Sequence, residues 1–127
     1  MLVVGTGLLG TSIGLALRRH DATVWLSDVS PEHVRTASGL GAGVAAPEDG
    51  TPALVVVAVP PDLLGPEIAR ALVAHPEAVV TDVGSVKSAP LEELAERTGA
   101  DELLSSASTH DRDALLASDA MLRELLA

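Results

Sequence analysis

The chain contains no cysteine, no phenylalanine and no tyrosine, and it has one tryptophan in 127 residues. The missing thiols exclude disulfides and thiolate metal sites. The missing aromatic rings argue against a stacking platform for single-stranded nucleic acid, and they leave Val, Leu, Ile and Ala to fill the core. Positive charge is also scarce: 8 Lys and Arg against 18 Asp and Glu give a formal net charge of −10. The basic residues are scattered from Arg18 to Arg123 and form no stripe, so a nucleic-acid backbone is a poor partner. His20, His33, His75 and His110 lack metal-ligand spacing and read as surface residues; no metal is expected. No apolar run approaches the roughly 20 residues of a membrane helix, and no signal peptide precedes the first apolar run. The expectation is one cytoplasmic domain with no membrane partner.

What is present is concentrated in Met1 to Asp28. An apolar run, Met1-Leu2-Val3-Val4, leads into Gly5-Thr6-Gly7-Leu8-Leu9-Gly10. A helix-patterned segment from Thr11 to His20 follows, and a second apolar run, Ala22 to Leu26, ends at Ser27-Asp28. Strand, glycine turn, helix, strand and acid come in the order of a dinucleotide-binding β-α-β unit. Gly5 lets the chain turn sharply off the strand, Gly7 clears the place where a pyrophosphate meets the backbone, and Gly10 lets the helix lie close to the strand. Gly14 extends that smooth face. The helix that follows the turn then points its unpaired N–H groups and positive end at the anion. Asp28 lies eighteen residues beyond Gly10, near the spacing for a group that bonds the adenosine ribose hydroxyls. A carboxylate there accepts from a 2′-OH and repels a 2′-phosphate, so NAD is favoured over NADP. Val29 and Ser30 supply no arginine for a phosphate. The bland alternative is a glycine turn in an ordinary α/β protein with Asp28 solvated.

Further along, Ser30-Pro31 reads as the cap and first position of a helix reaching about Leu40. Gly43 to Ala45 reads as a short strand and Pro47 to Pro52 as a loop. Ala53 to Val59 is an apolar run suited to a strand buried on both faces. Asp62 then reads as the cap of a helix to about His75, with Pro66 in its first turn. Ala78 to Val83 is the next strand, followed by Gly84 to Lys87 and a helix capped by Ser88. The alternation predicts an α/β fold, a Rossmann-type doubly wound parallel sheet in three αβα layers. Ligands of such sheets sit outside the carboxyl ends of the strands, which directs attention to Gly5–Gly10, Val59–Asp62 and Gly84–Lys87. Residues 1–100 are expected to form the nucleotide-binding domain. Residues 101–127 are expected to be a diverged or truncated tail, with a weak strand at Leu103–Ser108 and a helix at Asp111–Leu126. That helix reads either as a closing helix on the sheet or as the face of a homodimer.

Three motifs together resemble the nucleotide-binding domain of prephenate dehydrogenase and the related arogenate dehydrogenases. They are Val4-Gly5-Thr6-Gly7-Leu8-Leu9-Gly10-Thr11-Ser12, then Val57-Ala58-Val59-Pro60-Pro61, then Thr81-Asp82-Val83-Gly84-Ser85-Val86-Lys87. The resemblance implies an NAD-dependent oxidoreductase that oxidatively decarboxylates prephenate, or acts on arogenate, on the route to tyrosine. It implies that Gly5 to Gly10 and Asp28 hold the adenosine diphosphate and that Val59 and Pro60 line the cofactor through their backbone. Ser85 would stand near the nicotinamide as the catalytic residue of this chain, supported by Lys87; without the resemblance, Ser85 reads as a turn or cap residue.

The sequence departs from that family in two places. The His-Pro-Met-Ala-Gly segment, whose histidine would take the hydroxyl proton, has no counterpart, since His110 is flanked by Thr109 and Asp111. The helical second domain that supplies arginines for the substrate carboxylates is not in the chain either. The expectation is therefore a cofactor half whose catalytic half is truncated or diverged. The competing readings are a nucleotide-binding or interaction module without catalysis, and another small-substrate NAD(P)-dependent reductase.

Overall fold

The computed structural model describes residues 1–84. Ser85, Lys87 and the elements expected after Ser88, at 103–108 and at 111–126 lie outside the described residues. Within them the chain runs β1 (Leu2–Val4), α1 (Leu8–Arg18), β2 (Trp25–Ser27), α2 (Pro31–Gly39), β3 (Val44–Ala45), β4 (Leu54–Val57), α3 (Pro61–Ala74) and β5 (Val79–Asp82). The strands form one five-stranded sheet in the order β3-β2-β1-β4-β5. Every pairing is parallel, with Val3 opposite both Leu26 and Val56. The predicted doubly wound architecture is present.

Alternation along the strands divides the core between two layers. Val3, Val24, Leu26 and Val56 point to one side, where Ile13 and Leu17 of α1 and Val34 and Ala37 of α2 cover them. Leu2, Val55 and Val57 point to the other side, against Leu64, Ile68 and Ala71 of α3. A strand buried on both faces needs an unbroken apolar run, and Val55, Val56 and Val57 are all buried.

Several boundaries differ from the sequence expectation. Helix α1 begins at Leu8, not Thr11, because the last three residues of the glycine motif already form its first turn, and the Thr11 amide donates to the Gly7 carbonyl at 3.0 Å. Strand β2 begins three residues late, since the Ala22 amide still bonds back to the Leu17 carbonyl of α1. Gly14 is required by a different neighbour than expected: a Cβ there would lie 2.6 Å from the Ala42 carbonyl, where the chain enters β3. Ser30 does cap α2, accepting from the His33 amide. Asp62 does not cap α3; that helix starts from Pro60 without a side-chain cap, and Asp62 sits in its first turn. Pro66 lies inside α3, beyond its first turn, where it lacks the amide that would pair with the Asp62 carbonyl.

Candidate functional site

The glycine turn joins β1 to α1 at the carboxyl end of the sheet. Gly5 has φ +92°, a conformation that L side chains rarely adopt, and a Cβ there would lie 2.4 Å from the Ala58 carbonyl oxygen. At Gly10 a Cβ would lie 1.8 Å from the Gly5 carbonyl oxygen. Gly7 is different: nothing lies within 4 Å of the place a Cβ would take, and the residue is exposed. Two glycines of the motif are thus fixed by packing, and the middle one opens onto space at the head of α1. The amides of Leu8, Leu9 and Gly10, in the first turn, lack intrahelical acceptors. With the positive helix end they form an anion-binding corner.

Asp28 closes this corner from the end of β2. Its Oδ2 accepts from the Thr6 amide at 2.7 Å and from the Thr6 hydroxyl at 3.0 Å. Its Oδ1 accepts from the Ser30 amide at 2.9 Å, and the His33 Nδ1 stands 3.5 Å from that same oxygen. The Thr6 carbonyl in turn accepts from the Thr11 hydroxyl at 3.1 Å. One carboxylate therefore ties together the glycine turn, the end of β2 and the start of α2. Burial pushes the Asp28 carboxyl up, but the amides of Thr6 and Ser30, the Thr6 hydroxyl and the His33 imidazole outweigh it and hold the group below the usual carboxylate range. The side chain is 10% exposed and stays ionised at neutral pH.

A cavity of about 500 Å³ lies beside this corner, within the size range of small-molecule and cofactor sites. Gly5, Gly7, Asp28, Val59 and Pro60 line it at the carboxyl ends of β1, β2 and β4. From there it runs under α3, past Val4, Leu63 and Ala71. Of the remaining sequence candidates, Thr6 and Gly10 are buried behind the turn, and Leu8 and Leu9 project into solvent. The cavity also holds residues the sequence reading missed, among them His33, Glu67 and Arg70. For His33 a signal existed. It stands three residues after the cap Ser30, the position from which a side chain folds back over a helix start. Glu67 and Arg70 are paired on α3 and gave no signal, because i,i+3 charge pairs are common on any exposed helix.

The model of the nucleotide-binding domain of prephenate dehydrogenase matches residues 13–108. The chain belongs to the prephenate dehydrogenase family. The match begins inside α1 and does not include the glycine turn, so it is carried by the chain from α1 onward. The probable prephenate dehydrogenase NovF of Streptomyces niveus is 42% identical over 93 residues, 73% of this chain and 26% of that protein. A prephenate dehydrogenase structure from Aquifex aeolicus is 30% identical, with a TM-score of 0.64 over 77% of this chain and 39% of that one. Arogenate dehydrogenase from Synechocystis shares the fold, with a TM-score of 0.68 at 22% identity over 99% of this chain and 56% of that one. A further prephenate dehydrogenase structure from A. aeolicus, in complex with hydroxyphenyl propionate and NAD+, has a TM-score of 0.66 at 23% identity. The chain thus spans about a quarter of the curated relative and between 39% and 56% of these structures. Within the prephenate dehydrogenase family it corresponds to the nucleotide-binding domain. Among the described residues, no helix is long and apolar enough to cross a membrane.

Proposed function

We propose that this chain is the NAD-binding half of a prephenate or arogenate dehydrogenase. The observation that carries the reading is the ionised Asp28 carboxylate, fastened to the glycine turn and facing the cavity. The residues fit a dinucleotide. Gly7 leaves room for a diphosphate, the first-turn amides of α1 supply donors, and Asp28 meets a ribose hydroxyl while repelling a 2′-phosphate. Val59 and Pro60 would line the nucleotide through their backbone.

When bound, the nicotinamide would supply the hydride acceptor for a ring carbon bearing a hydroxyl, with loss of carbon dioxide giving 4-hydroxyphenylpyruvate where prephenate is the substrate, in tyrosine biosynthesis. The part of this chain would be to bind and orient the nucleotide. Ser85, following β5, would contribute a hydrogen bond in the catalytic region. Residues 1–100 would form the cofactor domain and 101–127 a separate tail, whose final helix would serve a homodimer.

The test is a calorimetric titration with NAD and NADP, followed by an NADH assay with prephenate and with arogenate. NAD is expected to bind more tightly than NADP. No binding of either nucleotide would overturn the reading. Binding without turnover would assign this chain the cofactor half alone.

A further inference from the structure

We propose that His33 is a second determinant of which nucleotide enters, and that it makes the choice depend on pH. When protonated, it offers a cation to a 2′-phosphate; when neutral, it leaves Asp28 to exclude that group. The inference rests on the nucleotide-binding reading above and deepens it.

The two oxygens of Asp28 are not equivalent. Oδ2 takes both donors of Thr6, which is 6% exposed, and faces the turn. Oδ1 takes the Ser30 amide and has the His33 Nδ1 beside it at 3.5 Å. The better placed acceptor for a ribose hydroxyl is therefore the oxygen next to the imidazole. A phosphate on that hydroxyl would come beside the imidazole, which stands 3.5 Å from the same oxygen.

His33 suits this position. Its backbone is held in the first turn of α2, with its amide donating to the Ser30 hydroxyl at 3.4 Å. Its side chain is 64% exposed and also lines the cavity. No lysine or arginine stands among Val29, Ser30, Pro31 and Glu32, so among the described residues lining this side of the cavity the imidazole is the group able to become a cation. The other charged groups of α2 are Glu32 on the same turn and Arg35, which does not line the cavity; across the cavity on α3, Glu67 pairs with Arg70, and His75 ends that helix. With His33 neutral, the field at the ribose is that of Asp28. With His33 charged, the pair is neutral overall.

Histidine gains its proton between about pH 5 and pH 8. The phosphate monoester of NADP also titrates near pH 6, so the informative comparison is between proteins and not between pH values alone. Affinities for NAD and NADP are measured by calorimetry at about pH 8 and about pH 5.5, in the full chain and in His33→Asn and His33→Arg. In the unsubstituted chain the preference for NAD is expected to fall by about tenfold on acidification, the scale of one charge placed near a partly exposed site. His33→Asn should keep only the smaller part of that change due to the ligand. His33→Arg should hold the preference low at both pH values. Identical pH dependence in the unsubstituted chain and His33→Asn would overturn the proposal, as would unaltered NADP affinity in His33→Arg. Failure of the unsubstituted chain to bind NAD at about pH 8 would instead remove the nucleotide reading itself.

Discussion

On one face of the sheet, α1 and α2 close over Val3, Val24, Leu26 and Val56, and backbone meets backbone wherever a glycine permits it. On the other face, α3 covers Leu2, Val55 and Val57, while the chain between β3 and β4 crosses with no helix of its own and rests Gly50 against the Trp25 ring. Among the described residues, two helices seal the first face, and one helix and a loop leave the second with the cavity that opens at Asp28. Both layers use the same small aliphatic residues, so composition does not separate the packed face from the face with the cavity. The connections do. The glycines report the same division, since a Cβ at Gly10 or Gly14 would strike backbone atoms while one at Gly7 would meet nothing.

The largest effect should come from filling the sealed face. In an exposed helix interior, Gly→Ala stabilises by about 1 kcal/mol. At Gly10 the new methyl would sit 1.8 Å from the Gly5 carbonyl oxygen, with Val3 also close. Neither atom is the free end of a flexible side chain, so α1 must move away from β1. Gly10→Ala should therefore destabilise by about 3 kcal/mol or more, read as a lowered urea midpoint. Stability equal to that of the unsubstituted chain would mean that α1 is not pressed onto β1 as described.

That division was only partly legible in the sequence. The order of strands and helices could be read because the apolar runs, the Ser30-Pro31 cap and the glycine spacing are local signals, and the parallel sheet follows from the alternation. The boundaries of α1 and β2 could not, because Leu8, Leu9 and Gly10 look like a loop until packing makes them a first turn. The role of Asp28 was half visible. Its distance from the glycines marks it as the acid of the motif, but its bonds to Thr6 and Ser30 depend on how two helix starts meet in space. The α3 wall of the cavity was invisible, since nothing in the spacing of Leu63, Glu67 and Ala71 says which side of α3 a cavity meets.

A smaller effect is expected where the two faces join. Asp28→Ala removes the acceptor of the Thr6 amide, and Thr6 is buried. It should lower stability by about 1–3 kcal/mol and weaken NAD by a similar amount, narrowing its preference over NADP. Because the folded-state pKa of Asp28 is depressed, its stabilisation is present above the ordinary carboxylate range, near pH 4, and is lost as pH falls through the folded value. The stability gap between the unsubstituted chain and Asp28→Asn should accordingly be constant near neutrality and close under acid. Urea midpoints followed down to about pH 2.5 would test this. Parallel acid profiles for the two proteins would mean that the ionised carboxylate does not fasten the turn.

The smallest effect on stability, and the sharpest contrast, belongs to Gly7. It stands three residues before Gly10 in the same motif, yet no atom lies within 4 Å of where its Cβ would be. Its φ of −72° and ψ of −159° suit any L-residue. The folded chain thus gives no reason for glycine at this position, and Gly7→Ala should change stability by no more than about 1 kcal/mol, chiefly through a poorer helix cap. A nucleotide supplies the missing reason. A methyl group in front of the first-turn amides would hold a diphosphate away from donors that each contribute about 1.5–3 kcal/mol when they meet a charge. NAD affinity measured by calorimetry should fall tenfold or more in a protein with a nearly unchanged urea midpoint. If affinity survives the methyl group, the open space at Gly7 is not where the diphosphate lies, and the anion must be held elsewhere along the cavity.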